Sequence, residues 1–152
     1  MGAEAKLKQL GITLPAQSTP VANYVPSVRV GNLLFLSGHG PFRDGKATTR
    51  GKLGKEFSVE DGYKVAREVG LSLLASARAA LGSLDKVKRV VKVLGMVASA
   101  EGFTDQPKVI NGFSDLMVEV FGDAGRHARS AVGMAELPMG IPVEIEMILE
   151  VE

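Results

Sequence analysis

The sequence predicts an α+β domain built on one mixed β-sheet with two long helices on one face. Three observations carry that prediction. Residues 143–151 alternate apolar and charged, with Val143, Ile145, Met147, Leu149 and Val151 interleaved by Glu144, Glu146 and Glu150, and only Ile148 breaks the charged face. Two long stretches, 58–81 and 104–121, place apolar and small residues on a single helical stripe. Strand-like runs stand on both sides of each helical stretch. A period of two marks a half-buried strand and a period near 3.6 an amphipathic helix. The economical arrangement of these elements is one sheet under two helices.

The elements follow in chain order. Residues 3–10 read as a short helix stopped by Gly11, and the prolines at 15 and 20, with Ser18 and Thr19 between them, suggest an extended lead-in. Residues 25–30 and 33–37 are strand-like, and Gly31-Asn32 between them is a hairpin signal. From Phe42 to Phe57 the chain is charged and glycine-rich and reads as a loop with at most a weak strand. Ser58 is a candidate N-cap with Glu60 and Asp61 behind it, and Gly82 is the matching stop. Small residues at 62, 66, 70 and 77 would let this helix lie close on a sheet.

Residues 86–99 are valine-rich and predict a strand that is central or at an interface, because both faces are partly apolar. On strict alternation Val90, Leu94 and Met96 share a face with Lys92. The second helix begins near Asp105 with Pro107 in its first turn, and Gly122 ends it. Its buried stripe is Val109, Ile110, Phe113, Leu116 or Met117 and Val120, with Asn111 towards the edge. The segment from Arg129 and the strand 143–151 read as a hairpin folded about Leu137-Pro138-Met139-Gly140-Ile141-Pro142. Two helices cover one side of a sheet, so the other side is expected to be buried by self-association.

Composition bounds the function. At 152 residues the chain is expected to form a single domain, 1–152, with residues 1–20 as an extension carrying the short helix. A formal net charge of +1 gives no electrostatic reason to expect nucleic acid or a membrane as partner. The four Lys or Arg between Lys46 and Lys55 have no interleaved aromatic and read as a solvated loop. There is no Cys, hence no disulfide or thiolate nucleophile, and a cytoplasmic location is expected. No Walker loop, GxGxxG or GxSxG stands in the sequence, and no cofactor or metal is expected. The two histidines, His39 and His127, are far apart in sequence. His127, between Arg126 and Arg129, should stay neutral if buried. Arg129, at the start of a strand of small residues, could hold a carboxylate by paired hydrogen bonds or could be a surface arginine at a strand end.

Several stretches together resemble the Rid/YjgF family of reactive-intermediate (enamine/imine) deaminases, often labelled L-PSP endoribonuclease-like. They are Asn23-Tyr24-Val25-Pro26, Val30-Gly31-Asn32 through Ser37-Gly38, the valine strand, Asn111, Ala128-Arg129-Ser130-Ala131-Val132, Leu137-Pro138 and Val143-Glu144-Ile145-Glu146. The similarity begins near Val21 and runs to the C-terminus. It implies a chorismate-mutase-like subunit in a homotrimer with clefts between subunits. It also implies a small carboxylate-bearing metabolite as ligand. In that family the arginine matching Arg129 holds the carboxylate of a 2-imino acid, and the glutamate matching Glu144 positions a water that attacks the imine carbon. Residues matching Tyr24, Asn111, Ser130 and Ala131 line the cleft. The hairpin would bring Glu144 beside Arg129. Ala131 stands where many members carry cysteine, the 42–56 loop is longer, and the stretch to Thr19 has no counterpart in shorter members. The expected function is hydrolysis of reactive 2-imino or enamino acids to 2-oxo acids and ammonia. A non-catalytic trimer binding small carboxylates is the alternative, and a ribonuclease ranks last.

Overall fold

A computed structural model describes residues 1–17, 20 and 22–152; the lead-in expected at Ser18 and Thr19, and Val21 where the family similarity begins, lie outside the described residues. The elements are α1 (Ala3–Gln9), β1 (Ser27–Val30), β2 (Leu33–His39), β3 (Phe42–Arg43), β4 (Lys46–Ala47), α2 (Val59–Leu81), β5 (Val87–Ala98), α3 (Gln106–Phe121), β6 (Ala128–Met134) and β7 (Val143–Val151). Five strands form one sheet in the order β1-β2-β7-β5-β6, and β3 pairs with β4 alone. The pairing of β5 with β6 is parallel. The other contacts in the large sheet are antiparallel, so the sheet is mixed as the sequence predicts.

Local chemistry sets the boundaries. The β1–β2 hairpin turns at Gly31, whose φ of +57° is one that a side chain disfavours. At α2 the Ser58 hydroxyl accepts from the Asp61 amide and the Asp61 carboxylate accepts from the Ser58 amide, a reciprocal capping box. Gly82, at φ +84°, ends that helix. The two long helices pack unusually close: a Cβ on Gly112 would lie 2.0 Å from the Tyr63 carbonyl oxygen, so no side chain fits between the backbones there. One continuous core lies between these helices and the sheet, with Val93, Val97, Ile110, Phe113, Ile145 and Leu149 fully buried. The N-terminal helix is part of this packing. Ala3 and Leu7 are buried, and the Glu4 carboxylate accepts from Arg78 Nε and Nη2 at 3.0 and 2.7 Å and from the Leu84 amide at 3.0 Å.

Two expectations are corrected. The chain from 128 to 151 is not a hairpin, because β5 lies between β6 and β7. The reason is the β5–α3–β6 unit. A helical crossover returns the chain parallel to the strand it left, so β6 takes the slot beside β5 and β7 pairs on β5's other side. The 137–142 segment spans the end of β5, where the Ala98 amide donates to the Pro142 carbonyl at 2.9 Å. The second correction concerns Val90. Register shifts in the β5–β7 ladder, between Val87 and Arg89 and between Val90 and Lys92, break the alternation. Val90 is therefore buried with Val93 and Val97, and Lys92, Leu94 and Met96 turn to the opposite face.

The 42–57 stretch holds more structure than a loop. Asp44-Gly45 turns the β3–β4 hairpin, and Leu53 is fully buried and bonded to both the Ala98 carbonyl and the Ala100 amide. The face of the sheet away from the helices is bare in the single chain. Val28, Val30 and Phe35 on it are 52%, 61% and 39% exposed, and Glu144, Glu146 and Ile148 lie on the same face.

Candidate functional site

Arg129 pairs in register with Val93, which is fully buried against the helices, so its side chain leaves the sheet on the helical side. There it meets α3. Arg129 Nη1 donates to Ser114 Oγ at 3.0 Å, and Nη2 donates to the Pro107 carbonyl at 3.2 Å. Pro107, Asn111 and Ser114 follow one another at helical spacing, so they share the stripe of α3 that faces this arginine. Asn111 is half-buried, and its amide has no hydrogen-bond partner among the described residues. Ala131, in register with Gly95, turns the same way as Arg129 and packs on the core. Both partners of the guanidinium are neutral, and no carboxylate pairs with Arg129 among the described residues. The cation therefore keeps its full charge for a ligand.

Glu144 stands elsewhere. It pairs with Met96 on β5, so it points to the bare face, with β5 between it and β6. At ordinary strand spacing that separates the two backbones by about 10 Å, and the side chains leave opposite faces. Burial, helped by the charge on Glu146, pushes the Glu144 carboxyl above the usual carboxylate range. Its carboxylate lies against Gly38, where a Cβ would come within 2.3 Å of Glu144 Oε2. Gly38 lies within the irregularity in the β2–β7 register, between Leu36 and His39, and has no side chain to crowd the acid.

Gly38 also lines a cleft of about 690 Å³, with Tyr24, Ser37, His39, Phe42 and Leu71 among its walls. Tyr24 is exposed at the rim. The Ser37 hydroxyl donates to the Val25 carbonyl at 2.6 Å and ties β2 to the segment beside Tyr24. His39 is buried. Its Nδ1 lies 2.6 Å from the Ser37 carbonyl and its Nε2 lies 2.8 Å from Ser76 Oγ. Since the carbonyl can only accept, Nδ1 carries the proton and the Ser76 hydroxyl donates to Nε2.

The single chain thus divides the residues expected from sequence into two groups. Arg129, Asn111 and Ala131 meet where α3 covers β6. Glu144 and Tyr24 lie around Gly38, near the β2–β7 contact. Ser130, in register with Leu94, joins neither group through its side chain and faces the bare side of the sheet. Sequence reasoning missed Ser114, the Pro107 carbonyl and His127 as the groups around Arg129. The spacing of Pro107, Asn111 and Ser114 was the available signal. Burial holds His127 below the usual histidine range, with the charge of Arg129 adding to it, as its sequence context predicts. No group of three or more His, Asp or Glu is placed to hold a metal among the described residues. No helix there is long and apolar enough to cross a membrane.

A family model described as YjgF/chorismate mutase-like, which also carries an endoribonuclease label, matches residues 4–147. Protein TCP17 of Trypanosoma cruzi is 46% identical over 96% of this chain and 92% of its own. A 2-iminobutanoate/2-iminopropanoate deaminase of Dermatophagoides farinae is 32% identical over 93% of this chain and 95% of its own. The crystal structure of Atu1372 from Agrobacterium tumefaciens, a protein of unknown function, superposes with a TM-score of 0.90 at 45% identity, over 99% of this chain and 92% of that one.

Proposed function

Because this chain belongs to the YjgF/chorismate mutase-like family, we propose that it hydrolyses reactive 2-imino acids to 2-oxo acids and ammonia at a site completed by two copies of the chain. The observation that carries this reading is the state of Arg129. Among the described residues it is a fixed guanidinium with only neutral partners, and the amide of Asn111, without a partner there, lies on the same stripe of α3. That is a receptor for a small carboxylate. A relative named as a 2-iminobutanoate/2-iminopropanoate deaminase, 32% identical, gives the carboxylate a chemical context.

In this reading Arg129 and Asn111 of one copy bind the substrate carboxylate. Glu144 and Tyr24 of a second copy close over the imine. Glu144 takes a proton from water as the water oxygen bonds to the imine carbon, and a proton passes to the nitrogen. The carboxylate then takes the proton of the new hydroxyl and passes it to the amine as the C=O forms and the C–N bond breaks, and ammonia leaves with the 2-oxo acid. Burial pushes this carboxyl upward, which makes it a stronger base for the proton it takes from water. Imines hydrolyse readily in water, so binding, placement and one proton relay are most of what the protein must supply. The copies associate through the bare sheet face, as a homotrimer.

The test is turnover of imino acids generated in situ by an amino-acid oxidase, comparing wild type with Arg129→Ala, with the mass of the assembly measured for both. Faster 2-oxo acid release by wild type alone, with both proteins in the same assembly, supports the proposal. No acceleration with small, aliphatic or aromatic imines rejects deamination. A second reading, carboxylate binding without turnover, is favoured by one observation: the Arg129 group is assembled within a single chain, and Glu144 is not part of it. It predicts thermal stabilisation by small carboxylates with no reaction.

A further inference from the structure

Arg129 stands at the end of a chain of hydrogen bonds whose direction can be assigned link by link. His127 Nδ1 lies 2.7 Å from the Gly125 carbonyl oxygen. That oxygen can only accept, so Nδ1 carries the ring proton. The ring is partly buried, and Phe113 meets it edge-on with centroids 5.8 Å apart, which fixes its plane. In the neutral ring Nε2 is then an acceptor. Ser114 Oγ, 2.9 Å away, donates its one proton to it. With that proton committed, the hydroxyl turns only lone pairs towards Arg129 Nη1, which donates to it at 3.0 Å.

This direction has a consequence for the guanidinium. A lone serine rotor can swing its O–H dipole towards a cation, and the contact is then repulsive. His127 removes that option. With Nη1 on Ser114 and Nη2 on the Pro107 carbonyl, both ends of the guanidinium fork are pinned by acceptors of fixed polarity. The plane of the group is set before a ligand arrives, at no cost in charge. An aspartate at position 114 would pin it as well, but would compete with the ligand carboxylate.

We propose that Ser114 and His127 are positioning residues that hold the Arg129 guanidinium in the plane required for carboxylate binding. The proposal rests on the carboxylate-binding role given to Arg129 above. Neither residue touches the substrate. The relay Gly125–His127–Ser114–Arg129 sets affinity for the carboxylate and leaves the chemistry at the imine carbon to other groups. The substrate class that gains from it has a carboxylate on the carbon next to the reacting one, where the tilt of the clamp decides which face of the imine meets the water.

The experiment measures binding of 2-oxobutanoate, a small 2-oxo acid, by calorimetry, together with imine turnover. The proteins are wild type, Arg129→Ala, Ser114→Ala, Ser114→Thr and His127→Phe, each checked for thermal midpoint and assembly mass. Ser114→Ala is expected to weaken binding and raise KM about tenfold, the loss of one hydrogen bond to a charged group, with kcat changed about twofold or less. Ser114→Thr, which keeps the hydroxyl, restores binding. His127→Phe, which keeps a ring against Phe113 and removes the acceptor, weakens binding in the same direction about threefold. Binding in Ser114→Ala and His127→Phe equal to wild type, with Arg129→Ala unable to bind, overturns the positioning roles and leaves the proposed function intact. Absence of binding by wild type, or undiminished binding by Arg129→Ala, overturns the role of Arg129 and the positioning roles with it.

Discussion

Arg129 and Glu144 lie on opposite faces of one sheet, with β5 between their strands. Residues separated in this way cannot hold one small molecule between them, yet each is chemically prepared. Among the described residues the arginine carries no acidic partner, and the carboxyl is raised by burial. If the site takes Arg129 from one copy and Glu144 from another, two inactive variants should repair each other. Refolding Arg129→Ala with Glu144→Ala at equal amounts is expected to restore about a quarter of wild-type turnover, the share of sites that draw both intact residues by random assortment. A mixture no more active than its parents would show that both residues serve the same copy.

Glu144→Gln should separate stability from activity. A carboxyl whose folded pKa is raised contributes stability that is fully present below its ordinary value of 4.5 and is lost as the pH rises through its folded value. Glutamine has no such ionisation. The variant should therefore melt at a higher temperature than wild type at pH 7.5, with the difference fading towards pH 4. Its imine turnover should fall about 10²–10⁴-fold, the usual range for loss of a general acid–base.

Acid should destabilise the protein before its carboxylates titrate. Burial holds both His39 and His127 below the ordinary histidine value of 6.5. The unfolded chain thus takes up protons in a window where the folded chain does not. Stability is present above 6.5 and declines as the pH falls through the folded values. Thermal midpoints recorded from pH 7.5 to pH 5 should decrease, and Ser76→Ala, which leaves His39 Nε2 without its donor, should lower them further, with a loss of about 1–3 kcal/mol in unfolding free energy. A flat profile over that range would mean that the histidines are exposed.

Gly112→Ala should be among the most damaging single-methyl additions. The new carbon would stand 2.0 Å from the Tyr63 carbonyl oxygen, and backbone cannot step aside as a side-chain tip can. A loss of about 3 kcal/mol is expected in urea unfolding, with weaker carboxylate binding as α3 shifts.

Much of this was legible in the sequence, for identifiable reasons. Helices announce their ends chemically. Ser58 with Asp61 began α2, and Gly82 and Gly122 closed α2 and α3 where the sequence placed them. The alternation of β7 gave its buried face correctly because no bulge interrupts it. The bulges in β5 left no comparable mark among its valines, so Val90 was assigned to the wrong face. Punctuation at Leu137-Pro138 and Ile141-Pro142 says that the chain turns, but not which neighbour it turns to. The parallel β5–α3–β6 crossover decided that, and with it the distance from Arg129 to Glu144. Leu53 inside a charged loop was invisible, since one leucine among lysines and glycines has no period. Ser114 went unread, and His127 was read only as a ring that stays neutral, because the proximity that gives them a shared role is tertiary.

Helix α3 serves two masters on adjacent stripes. Val109, Ile110, Phe113 and Met117 fill the core, and one step round the cylinder Pro107 and Ser114 hold Arg129, with Asn111 between them on the same stripe. At Gly112 the same helix is seated directly on the backbone of α2, with no cushion of side chains to absorb an adjustment. Volume changes in the core are consequently transmitted to the guanidinium rather than damped. Natural drift in ligand preference should then be concentrated at Asn111, the one residue of that stripe with an uncommitted polar group, and a library randomised there should alter preference at far lower cost to folding than one randomised a single position to either side.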